Sequence, residues 1–280
     1  MEENREERAR AALDAMEHHQ ANVTYPIMYD LDDRLCILGS GVLFAYEEQH
    51  FVVTAAHLFD HDEDIGSIIP ERLAGPNKRG YGVPTTFGPI CLYTGERDPF
   101  DFDIAAIALR DAQKIAAIKN GWQFLGVTDL GMPTCEPHFL LGGYPRDLQA
   151  QRGGTTHGPL FVAHTLQLAG IPDSAKPPVD LRYDYFGEYA SEGLIRKLDN
   201  KVMQSPALKG VSGGSLFQYD DTTTGLWSVS KTMKLVGIQS GASTAKKWFR
   251  AKKSNVIALL FEQIDPKIGT AIHAVLGDRE

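Results

Sequence analysis

The 280-residue chain predicts an all-β fold, a barrel or a sandwich, with a helix at each end. Three observations carry this. From Tyr25 to about Ser243, short apolar runs alternate with Gly, Pro and Asp punctuation, the texture of strands and turns. Sustained helical period is scarce across the same stretch. The 27 glycines and 15 prolines are slightly above the usual share and fit many turns.

The elements follow in chain order. Residues 3–20 are rich in Glu, Arg and Ala, which are good helix formers. Ala11, Leu13 and Met16 give this helix only a thin apolar stripe, so it is expected to be mostly solvated and packed on the body or on a partner. Strands are expected at Leu35–Phe44, Phe51–Ala55, Ile104–Leu109, Phe139–Leu141, Gly158–Leu168 and Lys234–Ser240. Asp111–Lys119 has helical period. Ser254–Ile264 predicts a closing helix, with Ser254 as its cap, Val256, Leu259, Leu260 and Ile264 along one side, and Pro266 beyond its end.

Composition narrows the function. At 43% hydrophobic and 23% charged residues the chain can bury a real core, which excludes a wholly disordered or collagen-like protein. A formal charge of −8 argues against broad binding to nucleic acid or anionic membrane. No apolar run approaches 18 residues, so no transmembrane helix is expected. The first twenty residues lack the basic start and apolar stretch of a secretory signal. Cys36, Cys91 and Cys135 are odd in number and widely spaced, with no CxxC pair. Reduced thiols in a cytoplasmic protein are the expectation.

Chemistry sits in three short motifs. Phe51-Val52-Val53-Thr54-Ala55-Ala56-His57 runs an apolar strand into small residues and then a histidine, leaving room for a side chain at a cleft. Asp101-Phe102-Asp103-Ile104-Ala105-Ala106-Ile107-Ala108-Leu109 sets a carboxylate at the mouth of an apolar strand, which is costly unless it is paired. Gly210-Val211-Ser212-Gly213-Gly214-Ser215-Leu216-Phe217 surrounds a serine with glycines. These permit unusual backbone and close approach of a substrate. The N–H groups of Gly210 and Ser212 are then placed to meet a developing oxyanion. Taken singly, each motif also fits a structural histidine, a turn aspartate or a flexible glycine turn.

Together they stand in the order His, Asp, Ser, each at a strand edge of a β-rich chain. TAAH, then D-I-A-x-I-x-L, then G-x-S-G-G closely resembles the trypsin-like (chymotrypsin-fold) serine peptidases, in particular bacterial members without disulfides. Further matches are Gly39-Ser40-Gly41-Val42-Leu43-Phe44 before the histidine, Gly142-Gly143-Tyr144-Pro145, and Leu235-Val236-Gly237-Ile238-Gln239-Ser240 after the serine. The resemblance spans roughly residues 35–243. It implies two antiparallel six-stranded β-barrels with the active site between them. The first would lie at about 23–135 and the second at 136–252, flanked by a helical extension (1–22) and a C-terminal helix and tail (253–280).

The resemblance also implies roles. Ser212 would be the nucleophile, His57 its general base and Asp103 the residue that orients His57. The N–H groups of Gly210 and Ser212 would form the oxyanion hole. Pro206, Lys209, Ser240 and Gly241 would line the bound protein or peptide substrate. No cofactor and no metal is required. Departures matter too. Leu58 stands where secreted members carry a cysteine, and Val211 where zymogen-type members carry an aspartate, so activation by a new N-terminus is not available. Pro206 stands where trypsin itself is acidic, which points to a neutral or apolar side chain before the cut. Lys246 and Lys247 offer the alternative of an acidic one.

Rival readings fit less well. The α/β-hydrolase elbow shares G-x-S-x-G but needs Asp and His after the serine, where only His273 follows. His57 and His61 are spaced i, i+4 near Asp62 and Asp64, but a zincin helix needs Glu where Leu58 stands. His18 and His19 are adjacent and diverge on a helix. Lys246, Lys247, Arg250, Lys252 and Lys253 with Trp248 and Phe249 form the one basic-aromatic cluster, read as a solvated face rather than a nucleic-acid site. The serious alternative is a dormant protease-fold binding module. The sequence thus predicts a serine endopeptidase in the cytoplasm, bound to neither nucleic acid nor membrane. Asp103 to Ser212 is a long interval, so control by a partner protein is expected through the N-terminal helix or the 170–209 insert.

Overall fold

A computed structural model of the chain describes residues 2–32, 34–77, 84–95, 102–135, 138–152, 155–189, 194–196, 201–203, 205–220 and 228–277. Helix α1 (Glu2–Val23) leads into the first sheet, built from β1 (Thr24–Asp30), β2 (Leu35–Tyr46), β3 (Gln49–Thr54), β4 (Leu73–Pro76), β5 (Pro84–Thr86), β6 (Ile90–Thr94) and β7 (Ala105–Leu109). Helix α2 (Ala112–Lys119) then precedes the second sheet. That sheet uses β8 (Phe139–Gly143), β11 (Phe161–Thr165), β12 (Asp184–Glu188), β15 (Ser215–Tyr219), β16 (Met233–Ser243) and β17 (Trp248–Lys253). Between them lie two small hairpins, β9 (Ala150–Arg152) with β10 (Thr155–His157), and β13 (Leu194–Arg196) with β14 (Lys201–Met203). The short α3 (Val229–Thr232) precedes β16, and α4 (Ser254–Ile264) and α5 (Pro266–Leu276) close the chain.

Both sheets are antiparallel and each forms a half-barrel, in the orders β5-β4-β1-β2-β3-β7-β6 and β11-β8-β15-β16-β17-β12. The expected pair of closed six-stranded barrels is therefore corrected to sheets of seven and six strands. The seventh strand is β5, paired with β4 at the sheet's rim, where Pro84 removes a donor that no neighbour needs. Among the described residues no strand pair joins the two edges of the first sheet. In the second, the chain just past β11 bridges to β12 at Gln167 and Gly187, with Glu188 N–H donating to Leu166 O (2.9 Å) and Leu168 N–H to Phe186 O (3.0 Å).

Side-chain alternation explains where the cores sit. Successive strand residues face opposite sides. In β7, Ile107 and Leu109 pack inside the first half-barrel with Tyr25, Leu43 and Val52. Ala106 and Ala108 face the other way, onto a core shared by both sheets and the C-terminal helices. Val42, Phe44 and Phe51 enter that shared core from the first sheet, Leu140, Phe217 and Leu235 from the second, and Phe261 and Ile272 from α4 and α5. Phe139, Leu141, Leu216 and Phe249 fill the second half-barrel. The strongly apolar β7 is buried on both faces for this reason.

Several local expectations are met and others shift. Asp111 caps α2, its carboxylate accepting from Gln113 N (2.8 Å) and Lys114 N (3.0 Å). The α1 helix is not evenly solvated: its second half sits on the body through buried Met16, Gln20 and Val23. The expected strand at Gly158–Leu168 contracts to β11, because Pro159 cannot join the ladder and beyond Thr165 the chain pairs with β12 only through the isolated bridge at Gln167. Ser254 is not the cap of α4. Lys253 holds that position, and the Ser254 hydroxyl donates to Leu235 O at 2.8 Å. Pro266 does more than follow α4: it opens α5, capped by Asp265 accepting from Lys267 N. The basic cluster is a solvated face only in part: Lys246 and Lys247 are exposed, but Arg250 and Lys252 turn inward in β17 onto Asp184 at 2.7 and 2.8 Å. Residues 190–193, 197–200 and 204 of the 170–209 insert, and Asp101, lie outside the described residues. No described helix is long and apolar enough to cross a membrane.

Candidate active site

The site begins at the end of β3. Thr54, Ala55 and Ala56 are buried, and their small side chains let the next residue turn outward. His57 sits on a single 3₁₀ turn, Ala56–Phe59, with its side chain 37% exposed. Asp103 stands just before β7, the strand paired with β3, so the sheet's own register brings the two together. Its carboxylate lies 2.9 Å (Oδ2) and 3.1 Å (Oδ1) from His57 Nδ1, and Oδ1 also accepts from the His57 main-chain N–H at 2.9 Å. A carboxylate only accepts, so Nδ1 carries the proton and Nε2 of a neutral ring is left with its lone pair. Asp103 holds this position at φ +34, a left-handed conformation that aspartate tolerates better than most side chains.

Ser212 comes from the second sheet, on the turn that enters β15. That turn is anchored from the first sheet by Ser40. The Ser40 main-chain N–H donates to Ser212 O (2.8 Å), its hydroxyl donates to Gly210 O (2.8 Å) and accepts from Tyr144 N (2.8 Å), and its carbonyl accepts from Thr54 Oγ1 (2.6 Å). Gly210 and Gly213 have φ of +92 and +84, values that favour glycine.

Hydrogen bonding within the turn is selective. Val211 N–H donates to Leu208 O (3.0 Å), Gly213 N–H to Gln239 O (2.8 Å) and Gly214 N–H to Val211 O (2.7 Å). The N–H groups of Gly210 and Ser212 donate to nothing among the described residues. Free amide donors in a largely buried turn are rare in folded proteins. These two are the pair expected from sequence to face an oxyanion.

A cleft of about 250 Å³ collects His57, Gly210 and Ser212, with Lys209 at its rim. Arg146, His61, Asp62 and Glu63 complete its polar lining and Leu38 and Leu58 its apolar one. The Arg146 guanidinium lies 2.7 Å from Asp62, and Lys209 Nζ 2.6 Å from Asp64. Burial pushes the Asp62 carboxyl up, but hydrogen bonds from Arg146 and the Asp64 main-chain N–H, with the charges of Arg146 and Lys209, outweigh it and hold the group below the usual carboxylate range.

The other expected substrate residues lie outside this cleft. Pro206 O accepts from Tyr189 OH at 2.5 Å. Ser240 is nearly buried, its hydroxyl unpartnered among the described residues, and Gly241 O accepts from Gln239 Nε2 at 2.9 Å. The Ser212 hydroxyl makes no hydrogen bond among the described residues. Sequence reasoning missed Arg146, which belongs to no motif, and named Asp62 only as a neighbour of His57 and His61 in a rejected metal reading. It quoted Ser40 only as part of G-S-G, where a hydroxyl between two glycines was the available signal. Among the described residues no group of three His, Cys, Asp or Glu is arranged to hold a metal. No protein-family model and no curated protein matches this chain.

Proposed function

We propose that the chain is a serine endopeptidase that cuts protein or peptide substrates through an acyl-enzyme. The observation that carries this reading is a single cleft holding a carboxylate-anchored imidazole, a serine, and two nearby main-chain donors with no partner among the described residues. Ser212 Oγ attacks the scissile carbonyl as His57 Nε2 takes its proton, since a serine hydroxyl is a poor nucleophile without a base. Asp103 keeps the ring in the required tautomer and stabilises its charged form. The N–H groups of Gly210 and Ser212 stabilise the oxyanion; loss of one such donor typically costs about 3 kcal/mol. His57 then protonates the leaving amine, and water hydrolyses the ester by the reverse route. In this reading the two half-barrels correspond to the double-barrel architecture of trypsin-like peptidases, with His57 and Asp103 on the first and Ser212 on the second. The enzyme works inside the cell under control of a protein partner that engages α1 or the 170–209 insert. The bond from Gln20 of α1 to Ser215, three residues past Ser212, supports such a route.

A dormant binding module is the second reading, favoured by the unbonded Ser212 hydroxyl. Catalytic hydrogen bonds are often loose before substrate arrives, so this does not outweigh the first. A fluorophosphonate probe decides between them. Wild type should be labelled at Ser212, while Ser212→Ala and His57→Ala should lose labelling and reduce kcat/KM on a cleaved peptide by about 10⁴-fold or more. Labelling that survives Ser212→Ala would reject the assignment of the nucleophile. Unlabelled wild type would favour the dormant module.

A further inference from the structure

We propose that Arg146 is a positioning residue that sets the oxyanion turn, and that its ion pair with Asp62 aligns this turn with the segment carrying His57. The proposal rests on the peptidase reading and names a part of the machinery that reading does not contain.

The argument starts from one peptide plane. Lys209 C=O accepts from Arg146 N–H at 2.8 Å. A trans peptide points its C=O and N–H in opposite directions. The bond therefore turns the N–H of Gly210 away from the Arg146 main chain, where it meets no acceptor among the described residues. Rotating this plane to hide the Gly210 donor would break the Arg146 bond. The next carbonyl, Gly210 O, is fixed by the Ser40 hydroxyl. A Cβ at position 210 would come within 2.6 Å of Tyr144 O and 2.9 Å of Arg146 N, so the turn is seated directly on the 144–146 backbone. Whatever fixes Arg146 fixes the donor.

The Arg146 side chain is fixed from the opposite sheet. Its guanidinium, 15% exposed, donates through Nη2 to Asp62 Oδ2 (2.7 Å) and Leu38 O (3.1 Å). Through Nη1 it reaches Asp62 Oδ1 and Asp64 Oδ2, both at 3.3 Å. Leu38 lies on β2, and Asp62 follows His57 by five residues. A planar fork gripping one carboxylate with two nitrogens fixes direction as well as distance, which a point charge does not. The second contact, Lys209 to Asp64, is between exposed groups and adds little. Base and oxyanion donor come from different sheets, and this clamp gives them a common reference.

The test compares Arg146→Ala, Arg146→Lys and Asp62→Asn with wild type on a cleaved peptide and on a peptidyl trifluoromethyl ketone, whose tetrahedral adduct occupies the oxyanion hole. Arg146→Ala should lower kcat by roughly 30- to 100-fold, somewhat less than removing a donor outright, with KM changed less than about twofold. Inhibitor affinity should fall in proportion to kcat/KM across the three variants. Arg146→Lys should recover part of the loss. A rise in KM at constant kcat, or inhibitor affinity that stays at the wild-type value, would overturn the proposal. Should Arg146→Ala not fold, the nearly isosteric Asp62→Asn carries the same two readouts. Wild type that neither labels nor cleaves would instead reject the peptidase reading, and this inference with it.

Discussion

At Gly213 the chain takes φ +84, and a Cβ there would overlap both the Ser40 carbonyl oxygen and Thr54 Oγ1. Those atoms are themselves bonded to each other at 2.6 Å, so neither can withdraw cheaply. Gly213→Ala should therefore cost about 3 kcal/mol or more, combining left-handed strain with overpacking. Gly66 offers a control: its φ is +86 but nothing lies within 4 Å of its Cβ direction, so Gly66→Ala should cost only about 1 kcal/mol. Urea midpoints of the two variants test this, and equal losses would reject the packing argument. Legibility at this scale follows the same division. That His57, Asp103, Ser212 and the glycines around Ser212 would come together was readable because their types and order match the pattern of a known family. Ser40, Arg146 and Asp62 were not, because a main-chain carbonyl or an ion pair across two sheets leaves no local pattern.

Among the elements, α1 departs most from what its composition suggests. Its exposed residues 7–10 are charged or small, yet Gln20 is fully buried, with Nε2 bonded to Leu140 O (3.1 Å), Ser215 O (3.3 Å) and Ser215 Oγ (2.9 Å). Thr24 Oγ1 joins the same hydroxyl at 2.7 Å. Gly142 leaves the space that the Gln20 amide fills. Gln20→Ala should thus lose buried hydrogen bonds and leave a void, at about 2 kcal/mol. Thermal or urea unfolding that matches wild type within about 0.3 kcal/mol would mean α1 is only loosely attached. Strand β17 was the opposite failure. Its WFRAKK sequence reads as a solvated basic face, because single-sequence polarity cannot anticipate that Asp184 on the paired strand β12 meets Arg250 and Lys252. Removing either side of such a buried pair is costly, which makes this cluster structural in character.

At the scale of the molecule, the all-β class and the terminal helices followed from texture, whereas strand number depended on pairings that short, Pro-containing segments such as β4 and β5 do not advertise. The same region holds a lysine that helical period could place on α2 but not bury. Lys114 Nζ, in a nearly buried residue, donates among Gly75 O (2.6 Å), Asn77 Oδ1 (2.7 Å), Thr85 O (3.0 Å) and Thr85 Oγ1 (2.9 Å), tying α2 to the β4–β5 edge. Burial pushes its pKa down to about 8, with Asp111 opposing only in part. Between that value and the ordinary lysine value, the unfolded chain holds a proton that the folded chain has released. Stability must then rise with pH through this window, by up to about 1.4 kcal/mol per pH unit. At higher pH the sign reverses, because burial raises the Cys36 thiol and the Tyr25, Tyr185 and Tyr189 hydroxyls, and the unfolded chain loses those protons first. Wild type should therefore show a stability maximum between about pH 9 and 10. Lys253, also lowered by burial, adds to the rising limb, so Lys114→Met, similar in length but without the charge, should lose part of that limb and rise less steeply while keeping the falling one. The comparison of slopes is independent of any constant cost of the substitution. Identical slopes in the two proteins between pH 8 and 10 would mean that the ammonium is effectively hydrated and that the α2 contact is not a buried one.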